Sequence, residues 1–167
     1  MTNISRRKVM NKFLTIVMVM GSLMTLNAKE ANVSEVLDNY ILAWNEHNVE
    51  KIDTFYADDV IWYDLSYDYT TKGKANVTKA ITDAFMGSVA DMYWGKSGDV
   101  FVSGNTIIYE WVYGGTFDGE FDGVMIHNKT FEIKGLSTTT INAEGKITAH
   151  KDYYDLASFK RGLGLIK

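Results

Sequence analysis

Three side chains near the end of the chain have types and a spacing that suit acid–base chemistry. His150, Asp152 and Tyr154 occupy every second position of the segment 146–156, which predicts a strand. Side chains alternate between the two faces of a strand, so an imidazole, a carboxylate and a phenol are expected on one face. Such groups are costly to bury unless they are paired or used. This strand is therefore the first candidate for a functional site.

A second carboxylate lies on a predicted strand in the first half of the chain. Residues 59–65 alternate in a way that puts Trp62 and Asp64 on one face. A carboxylate among indole rings loses hydration, which raises its pKa and suits it to proton transfer near neutral pH. His150 could pair with Asp152 or shuttle a proton. The alternatives are that Asp64 only bonds a backbone amide and that His150 is a satisfied polar residue.

The segment Glu144–Phe159 reads EGKITAHKDYYDLASF and closely resembles the last strand of limonene-1,2-epoxide hydrolase and of SnoaL-like proteins. Those families share the nuclear transport factor two-like fold. The segments Asn39–Asn45 and Phe55–Val60 resemble the opening of that fold, and the likeness extends over nearly all of residues 30–165. The resemblance implies an α+β cone, in which three N-terminal helices pack on a curved, mostly antiparallel sheet around an apolar cavity.

Three related enzymes imply roles for single positions. Ketosteroid isomerase uses a tyrosine and an aspartate that match Tyr40 and Asp64, but an acid of its oxyanion hole is replaced here by Ser137. The epoxide hydrolase uses an arginine and an aspartate that are replaced here by Trp111 and Tyr113, which disfavours epoxide hydrolysis.

The third relative implies the reaction. SnoaL cyclases use a pocket aspartate as the base that removes a proton next to a carbonyl, and Asp152 is the matching candidate. We therefore expect a cofactor-independent isomerase or cyclase with Asp152 as its general base and His150 tuning that base. The alternatives are a non-catalytic module that binds a hydrophobic ligand and a dimeric assembly module. The residues expected to contact the ligand are Tyr40, Trp62, Trp111, Tyr113, Ser137 and Tyr154.

Periodicity predicts the elements that position these residues. Apolar residues at helical spacing predict a helix from residue 33 to about His47, a short helix capped by Asn48, and a third helix over residues 77–85. Strands are then expected over residues 92–102, 106–117, 129–142 and 146–156, with a loop at 118–123 and a short helix after Asp155. Helices followed by antiparallel strands predict an α+β domain. Trp44 and Trp94 are assigned to its core.

The first 28 residues predict a signal peptide that precedes a domain of residues 29–167. Four basic residues precede an apolar run of 14 residues, Phe13–Leu26, and Ala28 offers a small residue for cleavage. The run is too short for a comfortable membrane span, which needs about 20 residues. Both a Sec route starting at Met10 and a twin-arginine route through Arg6 and Arg7 remain open, and either implies export to the periplasm or medium.

The composition of the chain limits the kinds of partner that it is expected to bind. The chain carries a net charge of −4, which becomes −8 without the four basic residues of the first segment, and it has no basic cluster in the domain. Nucleic acid is therefore not an expected partner. The chain has no cysteine and only three scattered histidines, so neither disulfides nor a bound metal is expected. A small hydrophobic molecule and a second copy of the chain, paired through the outer face of the sheet, are the expected partners.

Overall fold

The computed structural model describes residues 33–167, so the expected signal peptide lies outside the described residues. The domain is α+β, as the sequence predicts. Within residues 33–167 there are four α-helices: α1 covers residues 33–45, α2 Val49–Asp53, α3 Lys74–Ala80 and α4 Leu156–Gly162. Six strands form the sheet: β1 Tyr56–Asp64, β2 Tyr69–Lys72, β3 Tyr93–Ser103, β4 Thr106–Phe121, β5 Val124–Ile141 and β6 Ile147–Tyr154. In the described part of the chain no helix is long and apolar enough to cross a membrane.

The six strands form one sheet in the order β2-β1-β6-β5-β4-β3. All neighbours are antiparallel except β1 and β6, which run parallel. The parallel pair places Trp62 beside His150 and Asp64 beside Asp152. The two strands that the sequence singled out therefore lie next to each other, with their chemically active residues in register.

Two parts of the sheet differ from the sequence prediction. The expected loop at residues 118–123 is mostly strand, because β4 and β5 continue to a tight hairpin. Asp122 and Gly123 both have positive φ, at 51° and 77°, as the two central residues of a type I′ turn require. The short edge strand β2 was not predicted, because its four residues, Tyr-Thr-Thr-Lys, show no alternation of apolar and polar side chains.

Helix α1 packs across the concave face of the sheet. Tyr40 lies edge-on against Trp94 of β3 and His150 of β6, with ring centroids 5.6 and 6.1 Å apart. The end of the helix is held by Asn45, whose side chain donates to the carbonyl of Trp94 at 2.6 Å and accepts from its amide at 2.9 Å. This double contact fixes α1 against the strand and leaves a cavity between the sheet and α3.

The wall of the cavity opposite the sheet is a distorted helix. Helix α3 continues into a π-helical turn over Ile81–Met86. Wider turns of this kind are frequent at functional sites. Phe85 in this turn stacks on Trp62 of β1 with centroids 5.6 Å apart and planes 16° apart.

Candidate functional site

A cavity of about 610 Å³ lies between the concave face of the sheet, α1, the π-helical turn and α4. This volume falls in the range that holds a drug-sized molecule. Twelve of its 24 lining residues are aromatic, and all four tryptophans of the chain are among them. The walls are therefore suited to a largely apolar molecule that can lie against ring faces.

The carboxylate of Asp152 lies in the cavity wall, at the centre of a buried hydrogen-bond network. Its Oδ2 accepts from the indole N–H of Trp62 at 2.7 Å. Its Oδ1 accepts from the hydroxyl of Ser137 at 2.5 Å and lies 3.0 Å from Nε2 of His150. Ser137 in turn accepts from the indole N–H of Trp111 at 2.7 Å. The carboxylate is thus held rigidly by donors from three strands.

These donors overturn the expected pKa of Asp152. Burial alone would raise the pKa of this carboxyl, but the charge of His150 and the hydrogen bonds from His150, Ser137 and Trp62 together hold it below its usual value. Three donors satisfy the ionised form so well that it is preferred despite the low polarity around it. Asp152 is therefore an ionised anchor and a weak base, contrary to the pKa that its aromatic surroundings led us to expect.

Asp64 shows the opposite behaviour. It is half-buried, and burial raises its pKa because its hydrogen bonds do not fully offset the loss of hydration, while the negative charge of Asp152 adds to the increase. Its Oδ2 accepts from the hydroxyl of Tyr154 at 3.0 Å. Its Oδ1 accepts the backbone amides of Ser66 and Tyr67 at 2.8 and 3.3 Å, so it also caps the short helical turn after β1. Asp64 therefore both caps the backbone, as the alternative interpretation expected, and lines the cavity.

Asp64 and Asp152 are neighbours on adjacent parallel strands, which places their Cα atoms about 5 Å apart. Both line the cavity. The pKa values of these two carboxylates are therefore displaced in opposite directions within one cavity. In acid–base enzymes, such a difference in surroundings lets one carboxyl group exchange protons while the other stays ionised.

His150 lines the cavity and is almost fully buried, at 1% exposure. Its Nε2 faces Asp152, and its Nδ1 lies 2.9 Å from the hydroxyl of Thr139. Both ring nitrogens of His150 therefore have protein partners. The sequence alternative of a satisfied polar residue describes its hydrogen bonds well.

The remaining residues expected at the site fall into two groups. Two are fully buried behind the cavity wall: Tyr40 pairs with the hydroxyl of Tyr56 at 2.5 Å, and Ser137 supports Asp152. Neither lines the cavity. Four do line it, namely Trp62, Trp111, Tyr113 and Tyr154.

Trp44 and Trp94 also line the cavity, although the sequence assigned them only to the core. They are buried at 3% and 8% exposure, so they serve as core and wall at once. Helical and strand periodicity could place them inward but could not show that the core is hollow there. The indole Nε1 of Trp44 is the one buried side-chain donor in residues 33–167 without a hydrogen-bond partner.

Comparison with known proteins places the chain in a family. The sequence model of SnoaL-like polyketide cyclases matches residues 34–163, which is most of the chain. The chain belongs to the SnoaL-like polyketide cyclase family. A search of curated protein sequences finds no match.

Solved structures of SnoaL-like and related proteins share the fold. AclR from Streptomyces galilaeus superposes with a TM-score of 0.71 at 17% identity, over 83% of this chain and 99% of that one. TerC, crystallised with polyporic acid, gives 0.65 at 14% identity over 80% and 98% of the two chains. A protein with a ketosteroid isomerase-like fold from Catenulispora acidiphila, in complex with trimethylamine, gives a TM-score of 0.66 at 21% identity over 79% and 94% of the two chains. At these identities the likeness establishes the fold alone, which is the nuclear transport factor two-like fold that the sequence predicted.

The cavity contains five carboxylates and one imidazole but no converging metal-ligand set. Within residues 33–167 no three His, Cys, Asp or Glu side chains are placed to hold an ion.

Proposed function

We propose that this SnoaL-like protein binds a small, largely apolar molecule with a carbonyl group and moves a proton on the carbon beside that carbonyl, without a cofactor. The observation that carries the proposal is the pair of carboxylates in one aromatic cavity with pKa values displaced in opposite directions. Removal of such a proton leads to isomerisation or cyclisation, depending on the bonds of the substrate.

The two carboxylates take different roles. Asp64 is the proton acceptor, because a raised pKa makes it the stronger base and it lines the cavity. Asp152 stays ionised and holds Trp62, Ser137 and His150 in place, so it acts as a positioning residue. This assignment reverses the one that the family resemblance implies, in which Asp152 is the base.

Tyr113 is the donor for the carbonyl oxygen of the substrate. It lines the cavity, and its hydroxyl has no hydrogen-bond partner among residues 33–167. Its ring is fixed between Phe85 and Phe131, with centroids 6.1 and 5.6 Å away. Burial raises the pKa of this phenol, so it remains a donor over the working range of pH. A phenol held near the carbonyl stabilises the negative charge that develops there when the proton leaves.

A direct test follows the proton rather than a guessed product. The purified domain is incubated with 2-tetralone in D₂O, and deuterium uptake at the carbons beside the carbonyl is followed by NMR. We expect uptake faster than in buffer, a loss of about 10²-fold or more for Asp64→Asn, and a smaller loss for Tyr113→Phe. Equal rates with and without protein for this ketone and for a panel of larger cyclic ketones would contradict the enzymatic proposal.

A binding module without turnover is the second candidate. It is favoured by the full set of protein partners on Asp152 and His150, which leaves neither with an unpaired group aimed at a ligand. Saturable binding of ketones together with no deuterium uptake would identify this function.

We also propose that the protein is exported and forms a homodimer. Export rests on the basic and apolar segment before residue 29, which lies outside the described residues. The dimer rests on the outer face of the sheet, where Ile108, Val112, Leu136 and Tyr153 are only partly covered. Apolar sheet faces of this kind usually meet a partner.

A further inference from the structure

The charges that line the cavity are all of one sign apart from the imidazole. Five carboxylates are present, and no lysine or arginine is among the lining residues. Asp83, Glu120 and Asp122 are exposed at the rim, whereas Asp64 and Asp152 lie inside. The rim charges are partly balanced from outside the cavity, since Asp83 pairs with Lys79 and Asp122 pairs with Lys160.

Inside the cavity only one of the two carboxylates faces a basic side chain. Asp152 pairs with His150 at 3.0 Å. Asp64 receives three neutral donors, one phenol and two backbone amides, and no cationic side chain of residues 33–167 lies within 4.0 Å of it. The cavity therefore holds a half-buried negative charge that the described part of the chain does not compensate.

The walls around this charge suit a cation. The faces of aromatic rings carry a negative quadrupole, and indole rings attract cations most strongly. The hydroxyl of Tyr154 donates to Asp64, and its ring lies with its centroid 6.3 Å from that of Trp111, so two aromatic rings of the cavity lining adjoin this carboxylate. An anionic ligand would be repelled by the negative charge of Asp64. A neutral ligand would remove water from this carboxylate without supplying a counter-charge.

We infer that the ligand of this cavity carries a positive charge, as an amine or quaternary ammonium group on an apolar body, and that the negative charge of Asp64 and the aromatic rings of the cavity lining attract this group without occupying the proton-accepting oxygen of Asp64. The inference rests on the proposed function only in requiring that the cavity bind a small molecule. It adds that the preferred substrates are cationic, so a neutral or acidic analogue of the same shape binds less tightly.

Three probes of nearly equal size isolate the charge. Benzyltrimethylammonium and neopentylbenzene differ only in a quaternary nitrogen replacing a quaternary carbon, and phenylacetate carries the opposite charge. Binding is followed by quenching of tryptophan fluorescence, since all four tryptophans line the cavity. We expect the cation to bind about tenfold or more tighter than the neutral probe and phenylacetate to bind weakest.

Matched variants connect the preference to Asp64. Asp64→Asn should bring the cationic and neutral probes to within about threefold of each other, while Asp64→Glu should restore much of the preference. Glu110→Gln removes the same charge from an exposed position on β4 outside the cavity and should leave the preference unchanged.

The outcomes separate the two proposals. If the neutral probe binds as tightly as the cation, or if Asp64→Asn keeps the full preference, the inference of a cationic ligand is wrong and the binding function stands. If none of the three probes gives saturable quenching, both this inference and the proposed binding function are contradicted.

Discussion

At the scale of single residues, the central result is that two similar aspartates on neighbouring strands have different surroundings. Asp152 receives donors from Trp62, Ser137 and His150, and Asp64 receives one phenol and two backbone amides. The sequence comparison pointed to Ser137 as a site residue, but its contact with Asp152 depends on the register between β5 and β6. Donors supplied by other strands therefore decide the charge state of Asp152, which is why its pKa was expected in the wrong direction.

The first prediction concerns the pH dependence of proton transfer. Because Asp64 must be ionised to accept a proton and its pKa is raised, the rate of deuterium uptake should increase with pH through that raised pKa and then level off. The rate profile of Asp152→Asn should keep this shape at a lower plateau. A profile that loses its acidic limb in Asp152→Asn and keeps it in Asp64→Asn would assign the base to Asp152 after all.

The second prediction concerns stability in acid. The pKa of Asp152 is lower in the folded than in the unfolded protein, so its ionised form contributes stability above the unfolded value of about 3.9 and that contribution is lost as the pH falls through the folded value. Urea unfolding of the wild type should therefore show a steep loss of stability below about pH 4. Asp152→Asn should be less stable at pH 7 and lose less on acidification.

The control for this measurement is Asp99→Asn, which removes a carboxylate from an exposed position on β3. It should follow the wild-type acid profile. An Asp152→Asn profile that runs parallel to the wild type down to pH 2 would show that the carboxylate is not held ionised by its donors.

At the scale of elements, the strand parities followed from the alternation of residues in the sequence, whereas the length of the β4–β5 hairpin and the π-helical turn were not predicted, and the cavity was expected only from the family resemblance. Alternation correctly put Trp62 with Asp64, and His150 with Asp152 and Tyr154, on the cavity side. The alternation of side chains does not show where a strand ends. The sequence therefore did not predict that β4 continues to Phe121 and that β5 begins at Val124. The Asp122–Gly123 pair was the signal that could have shown the hairpin.

The third prediction tests how β5 accommodates the cavity wall. A Cβ atom at Gly135 would lie 2.3 Å from the ring of Trp111 and 2.7 Å from the carbonyl oxygen of Tyr153, and the latter is backbone that cannot move aside easily. Gly135→Ala should destabilise the domain by about 1–3 kcal/mol, the usual cost of overpacking, and displace Trp111 from Ser137. Urea unfolding and the tryptophan emission maximum measure the two effects.

Gly95→Ala on β3 is the matched control, because a Cβ atom there meets no other atom within 4 Å. It should change the free energy of unfolding by less than about 0.5 kcal/mol. Equal destabilisation by the two substitutions would show that close contact between Gly135 and Trp111 is not what the strand requires.

At the scale of the whole molecule, the α+β cone and its family could be anticipated because the last strand carries a specific sequence. Membership of the family does not by itself determine the ligand. Trp111 and Tyr113, for example, replace the charged pair that epoxide hydrolysis would require. The ligand must therefore be inferred from the residues that line the cavity of this protein.

The fourth prediction concerns assembly. If the partly covered apolar residues on the outer face of the sheet meet a second copy, light scattering at micromolar concentration should give about twice the mass of the chain. Leu136→Lys places a charge at the centre of that face and should shift the mass towards the monomer. Ala143→Lys adds the same charge at an exposed position in the turn between β5 and β6 and is the control for a change of charge alone. A monomeric mass for the unaltered protein would rule out this dimer.

The most direct test of the account is mass spectrometry of small molecules released from the protein after purification from its native cells. We predict an apolar compound, close to one per chain, from the wild type and from Ala75→Phe, which alters an exposed alanine outside the cavity. Ala84→Phe, which adds a ring where the π-helical turn lines the cavity, should release much less. If the wild type releases nothing, or if Ala84→Phe releases the same compounds in the same amounts, the claim that this cavity binds a small molecule is contradicted.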